Sequence, residues 1–334
     1  MDNLTHSLVG AVLGQAGLKR KTGLAMPALV IGANLPDVDV TCFAWLTGTE
    51  HLAFRRGITH GPPALVLLPL ILAGLLWGFD RWQTKRGTRP EGRLPVHFGW
   101  LFALSFIACL THPAMDWLNV YGIRLLEPFS SQWFYGDTLF IIDPWIWAML
   151  IAGIWLSRRR EKVGAVQWAR PAQVGLAAML IYIGVNGWIT TRAEEEAEDA
   201  AQARFFAEHG RWVIASPVPL QFWKRETIYT DGTIKGDTLF ERYRLGDWSL
   251  FGGIASETSI PDTPCGRRAG FGKDLGSQAD AFLFWSRAPF LTRAADGSVV
   301  LRDARFTDPR VGDRFSLALP DVRCEPLGEE PTAR

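Results

Sequence analysis

Two carboxylates, Asp37 and Asp39, stand beside Pro36. About twenty residues later His60 follows Arg55 and Arg56 in a Gly-bounded turn, directly before a long apolar run. His6 lies near the start of the chain, and His112 and Asp116 follow at the i, i+4 spacing that puts two side chains on one helix face. Neutral imidazole nitrogens and carboxylate oxygens are ordinary ligands of Zn, Mn and Fe, and a carboxylate can bridge two ions. Such a site activates water and polarises a phosphoryl or carbonyl oxygen, which is the chemistry of hydrolysis. Asp37 and Asp39 are the catalytic candidates, since whichever is not engaged by metal can accept a proton. Each residue also has a structural reading. Asp37 or Asp39 can cap a helix after Pro36, His6 and His60 can bond to backbone, and Asp116 can pair with Arg56 or Arg124. Pro113, directly after His112, predicts a kink or a new helix start.

The elements that must position these residues are apolar. Residues 4–18 and 24–35 form two short segments, the first capped by Asn3 or Thr5 and the second stopped by Pro36. Both are shorter than the roughly 20 residues a bilayer span needs, so they read as a helical hairpin. Residues 62–79, 94–111, 139–156 and 172–190 form four clearer spans. Basic residues gather in alternate connections: Lys19 to Lys21, then Arg81 to Arg93, then Arg158 to Lys162. The positive-inside rule places these in the cytoplasm. His6, Asp37, Asp39, His60, His112 and Asp116 then fall on the extracytoplasmic side, with His97 on the opposite one. Fifteen tryptophans suit a protein anchored at membrane interfaces. The first 18 residues have no basic region ahead of an apolar core, so no cleavable signal peptide is expected.

The expected architecture is an α-helical integral membrane domain over 1–191, with four spans plus the short N-terminal hairpin. An extracytoplasmic domain over 192–334 follows: a charged linker helix over 192–209, then a small, mostly β soluble region over 210–334. Turn signals at Asp231-Gly232 and Asp296-Gly297 divide the strands. A disulfide between Cys265 and Cys324 fits an oxidising exterior. A formal net charge of +1 excludes a general nucleic-acid binder.

Neighbouring residues extend the site. Arg55 and Arg56 can hold a phosphate or meet lipid headgroups. Asn119 and Tyr121 can orient the ligands, Asp137 lies on the outer loop, and Asp143 before Pro144 reads equally as a helix cap.

The motifs Asp2-Asn3-x-Thr5-His6-Ser7, Leu35-Pro36-Asp37-Val38-Asp39, Arg56-Gly57-Ile58-Thr59-His60-Gly61 and Thr111-His112-x-x-x-Asp116, with Tyr121-Gly122 after it, cover about residues 1–190. Together they resemble the bacterial inner-membrane metal-dependent hydrolases of the YdjM-like family, and more distantly zinc-dependent phospholipase C and its related nucleases. The resemblance implies His6, Asp37 or Asp39, His60, His112 and Asp116 as ligands of one or more ions, Zn before Mn or Fe. The expected activity is hydrolysis of a phosphodiester or ester in a lipid or lipid-linked substrate by metal-activated water. A cation pathway is the alternative, but such sites sit near the bilayer midplane, whereas these residues gather at one end. A membrane scaffold with a structural metal is the other.

Overall fold

The structure, a computed structural model, describes residues 1–205, 213–230, 243–260, 276–293, 298–307 and 315–320. Cys265, Cys324 and the two expected Asp-Gly turns lie outside the described residues. Helix α1 (Asn3–Gln15) starts from Asp2, whose carboxylate accepts the backbone N–H groups of Leu4 and Thr5 at 3.0 and 3.1 Å. The cap therefore falls on Asp2 rather than on Asn3 or Thr5. A short ionised side chain reaches the orphan donors of the first turn, and Thr5 gives its hydroxyl to the same carboxylate at 2.6 Å. Helix α2 (Ala25–Gly32) crosses α1 closely: a Cβ on Gly10 would come 2.5 Å from the Leu29 carbonyl oxygen. Helix α3 (Glu50–Phe54) is a single short piece.

Four longer helices follow: α4 (Pro62–Lys85), α5 (Phe98–Trp117), α6 (Pro144–Lys162) and α7 (Arg170–Phe205). Among the described residues, three stretches are long and apolar enough to cross a membrane: α4, α5 and Arg170–Gln202 within α7. The fourth expected span corresponds to α6, whose last turns carry Arg158, Arg159, Arg160 and Lys162 and shorten its apolar part. Helix α5 runs unbroken through Pro113, so the new helix start, one of the two outcomes expected there, does not occur. Proline removes one backbone donor, but packing holds the turns on either side. Leu104 and Ala108 lie buried against α2, and Met115 packs with Val9 and Val12 of α1.

Two compact units result. The helical unit comprises Met1–Thr41, Arg56–Trp188 and Pro217–Phe222. The second comprises Cys42–Arg55, Ile189–Ser216 and Trp223–Arg334. Its described strands are antiparallel: β1 (Val213–Val218), β2 (Gln221–Thr230), β3 (Tyr243–Ser249) and β4 (Gly253–Ser259) form one sheet in that order. Strands β5 (Pro289–Arg293), β6 (Val299–Asp303) and β7 (Ser316–Leu319) form another. The β-rich expectation holds, with one helix added, α8 (Ser277–Trp285), whose Ala279, Phe282 and Trp285 are buried. Helix α3 packs on α8, with Thr49 Oγ1 donating to the Gln278 carbonyl at 2.7 Å and Ser277 Oγ to Glu50 at 2.6 Å.

Buried Asp303 organises the second sheet's end. It accepts from Arg305 Nε and NH2, each at 2.8 Å, from Ser286 Oγ at 2.5 Å and from Arg287 N at 3.0 Å. Burial works to raise its pKa, but the Arg305 guanidinium and these donors hold it below the usual carboxylate value.

Candidate metal centre

Helix ends in the helical unit bring the ligand-type residues together. The 3-10 segment Leu35–Ala44 carries Asp37 and Asp39, Ile58–His60 carries His60, and the last turn and a half of α5 carries His112 and Asp116. Ligand atoms of Asp37, His60, His112 and Asp116, all buried, lie within 4.8 Å of one another.

The ring orientations point to a ligand role. His112 Nδ1 meets the Ala33 carbonyl oxygen at 2.7 Å. A carbonyl only accepts, so Nδ1 carries a proton, and in the neutral ring the lone pair falls on Nε2. That Nε2 is buried, makes no hydrogen bond, and lies 3.7 Å from Asp37 Oδ1 and 3.6 Å from Asp116 Oδ2. His60 repeats the arrangement. Its Nδ1 contacts Thr59 Oγ1 at 3.0 Å, while Nε2, again without a hydrogen bond, faces Asp116 Oδ2 at 3.7 Å. Burial, with His112 alongside, holds the His60 imidazole well below its ordinary pKa and keeps it neutral.

These separations test the fit of an ion. Spacings of 3.6 and 3.7 Å are too long for hydrogen bonds. Two atoms each about 2.1 Å from one tetrahedral ion stand roughly 3.4 Å apart. Buried Nε2 atoms without hydrogen bonds, facing carboxylate oxygens at near that spacing, fit a shared divalent cation.

The other expected residues surround this quartet. Asp39 braces it: Oδ2 accepts from Arg56 N at 2.7 Å and stands 3.7 Å from His60 Nδ1, behind the ring. His6 stacks on His112, with ring centroids 3.8 Å apart, and its Nε2 lies 3.4 Å from Asp116 Oδ1, the oxygen turned away from the quartet. Both His6 nitrogens are buried without hydrogen bonds, and His6 lies beside the quartet rather than in it. The Met1 amine contacts the same Oδ1.

Arg56 turns inward rather than outward. Its Nε and NH2 lie 3.0 and 3.2 Å from the two Asp116 oxygens, and NH1 donates to Asn119 Oδ1 at 2.9 Å and to the Gly122 carbonyl at 3.2 Å. Its guanidinium covers the Tyr121 ring at 4.5 Å. Of the partners considered for Asp116, Arg56 takes the role, while Arg124 pairs with Glu127 at 2.7 Å. The backbone at Arg56 is left-handed, φ 55°, pinned by Asp39 on its N–H and by Arg124 N on its carbonyl. Asn119 also accepts from Tyr121 N at 2.9 Å, so both act on Asp116 through Arg56.

Three expected residues lie apart from the quartet. The Arg55 guanidinium stands over Phe43, both in the second unit. Asp143 caps α6 through Trp145 N and Ile146 N, and accepts from Tyr182 Oη at 3.0 Å. Asp137 is buried in a left-handed conformation, φ 46°. The reading of the residues passed over the Ala33 carbonyl, Thr59 and the Met1 amine. Only Thr59 carried a signal, as the hydroxyl adjacent to His60; a backbone carbonyl leaves none.

Fold and site together define a helical membrane protein with a buried carboxylate–imidazole centre able to hold a metal ion. The chain belongs to the YdjM inner membrane protein family, which it matches over residues 1–193. It is also similar to the uncharacterized protein YfhP of Bacillus subtilis, 26% identical over 200 residues that make up 58% of this chain and 54% of the relative. The chain thus spans about half the length of that curated relative. No solved structure matches.

Proposed function

We propose that this protein is a membrane-embedded metal-dependent hydrolase acting on a phosphodiester or ester of a lipid or lipid-linked substrate. The observation that carries the reading is the convergence of two imidazole Nε2 atoms and two carboxylates, with each histidine's Nδ1 already engaged. A bound divalent ion, Zn by ligand type, would supply Lewis-acid polarisation and lower the pKa of water at the site. The chain's own residues do the remaining work. His60 and His112 would offer Nε2 atoms whose rings are held through Nδ1. Arg56 balances the Asp116 charge, and Asp39 holds the His60 turn in place. Asp37, 8% exposed against 1% for Asp116, is the quartet's more accessible carboxylate, and Asp39, which lies outside the quartet, would accept the proton that water loses.

In this reading α6 is a fourth span, and the ligand ends of the helices face the extracytoplasmic side with the second unit. A headgroup of the outer leaflet then meets the site directly. The test is elemental analysis of the purified full chain, followed by a panel of phosphodiester and acyl-ester lipids. A His60→Ala, Asp37→Ala double variant should lose both metal and turnover. Full metal content in that variant removes the site assignment; a metal-loaded native protein that cleaves nothing in the panel removes the hydrolase.

A further inference from the structure

The end of the helical unit remote from the ligands carries a different constellation. Ligands sit at the N-terminal ends of α1 and α4 and the C-terminal end of α5, so the opposite ends of these helices meet elsewhere. There, cations lie over indole faces. Lys19 and Arg20 approach the Trp168 ring at 4.5 and 4.8 Å, and Lys21 covers Trp100 at 5.1 Å. Arg81 covers Trp77 at 5.1 Å, Arg86 covers Trp82 at 4.7 Å, and Arg159 covers Trp155 at 4.6 Å.

These cations divide by how their donors are used. Lys19 is satisfied within the protein by Glu161 and Gln15. Arg89 and Arg93 are likewise held by Asp80 at 3.1 and 2.9 Å. Among the described residues, Arg20, Lys21, Arg81, Arg86 and Arg159 donate no side-chain hydrogen bond to the protein, and their contacts are with rings. An indole face holds a cation in place without using its N–H groups, which then point to acceptors outside the chain. Trp77, Trp82, Trp100 and Trp155 are themselves 41–53% exposed, one or two turns from outward apolar positions such as Leu75. A partner must therefore offer anionic oxygens and hydrocarbon together.

We infer that this indole-and-cation girdle is a binding surface for anionic phospholipid headgroups of the leaflet at that end. The phosphate takes the outward N–H donors, and the acyl chains lie along the exposed apolar turns beyond the indoles. This surface is separate from the candidate metal centre, and its success or failure is independent of the proposed hydrolysis.

The test is native mass spectrometry of the full chain in detergent with equimolar phosphatidylglycerol and phosphatidylcholine. The native protein should retain phosphatidylglycerol preferentially. Replacing Arg20, Lys21, Arg81, Arg86 and Arg159 by Gln should reduce that preference more than about tenfold, while metal content stays at the native level. Far-UV circular dichroism in detergent reports whether the variant folds. If it does not, R20Q and R86Q singly should each lower the preference about fivefold. Equal retention of the two lipids, undiminished phosphatidylglycerol binding in the variants, or complete displacement by millimolar inorganic phosphate overturns the inference.

Discussion

Replacing Asp37 by Asn is the most informative single perturbation of the candidate centre. The side chain keeps its shape at the quartet's more accessible edge, and only its charge and basicity change. Structural zinc sites bind with roughly 10–16 kcal/mol, which shared over four ligands is about 2.5–4 kcal/mol each. Losing most of one such contribution weakens the dissociation constant by about two to three orders of magnitude. At a free metal concentration 100 times the native constant, binding stabilises the native protein by about 2.7 kcal/mol. A 100-fold weaker variant under the same conditions gains only about 0.4 kcal/mol. Loaded Asp37→Asn should therefore unfold about 2.3 kcal/mol more easily than loaded native protein, and the chelator-stripped forms should differ much less. Competition with a chromophoric chelator gives the constants, and denaturant unfolding in detergent gives the stabilities. The reasoning is refuted if metal affinity stays within a few-fold of native. It is equally refuted if the stripped variant loses as much stability as the loaded one, because Asp37 would then act only as an ion-pair partner of His112, 3.7 Å away.

Arg56 should be nearly as sensitive for a different reason. Arg56→Met leaves buried Asp116 without its guanidinium and should destabilise the stripped protein by about 3–5 kcal/mol, measured by denaturant unfolding. Arg56→Lys should recover little, since one ammonium cannot serve Asp116, Asn119 and the Gly122 carbonyl together. In the second unit, the lowered pKa of Asp303 means that the unfolded chain binds its proton more readily than the folded one. Its stabilisation is complete above the unfolded carboxylate range and is lost as pH falls through the folded value. Asp303→Asn should flatten that acid limb of the second unit's unfolding profile, followed by tryptophan fluorescence.

The helical half was legible because apolar runs and clustered cations leave few arrangements in a bilayer, and the long charged continuation of α7 was visible as composition. The grouping of candidate ligands was legible for a similar reason: His60, His112 and Asp116 are side chains that a membrane end tolerates only with partners. Their division of labour was not. Asp37 and Asp39 are equivalent in sequence, and only the 3-10 geometry turns one into the quartet and the other behind His60. Arg56 stood open between a phosphate, a lipid headgroup and Asp116, because nothing local shows that its backbone is left-handed and its fork turned onto Asp116. Pro113 suggested a broken helix, since propensity counts a missing donor and takes no account of Met115 and Ala108 packed either side. Asp143 followed its simpler reading as a cap on α6, because Pro144 at the first helical position leaves that role ready for it.

Residues 42–55 join the segment bearing Asp37 and Asp39 to the one bearing Arg56 and His60, yet they pack as part of the second unit. Modularity in sequence and modularity in space therefore differ. A chain cut at residue 193 would retain every ligand and the whole family match, but Thr49 and Glu50 would lose Gln278 and Ser277. The segment between Asp39 and Arg56 would then be held by the contacts at its two ends, such as Arg56 N to Asp39 Oδ2. Transplanting residues 1–193 alone would carry the candidate ligands without these contacts of the segment that joins them.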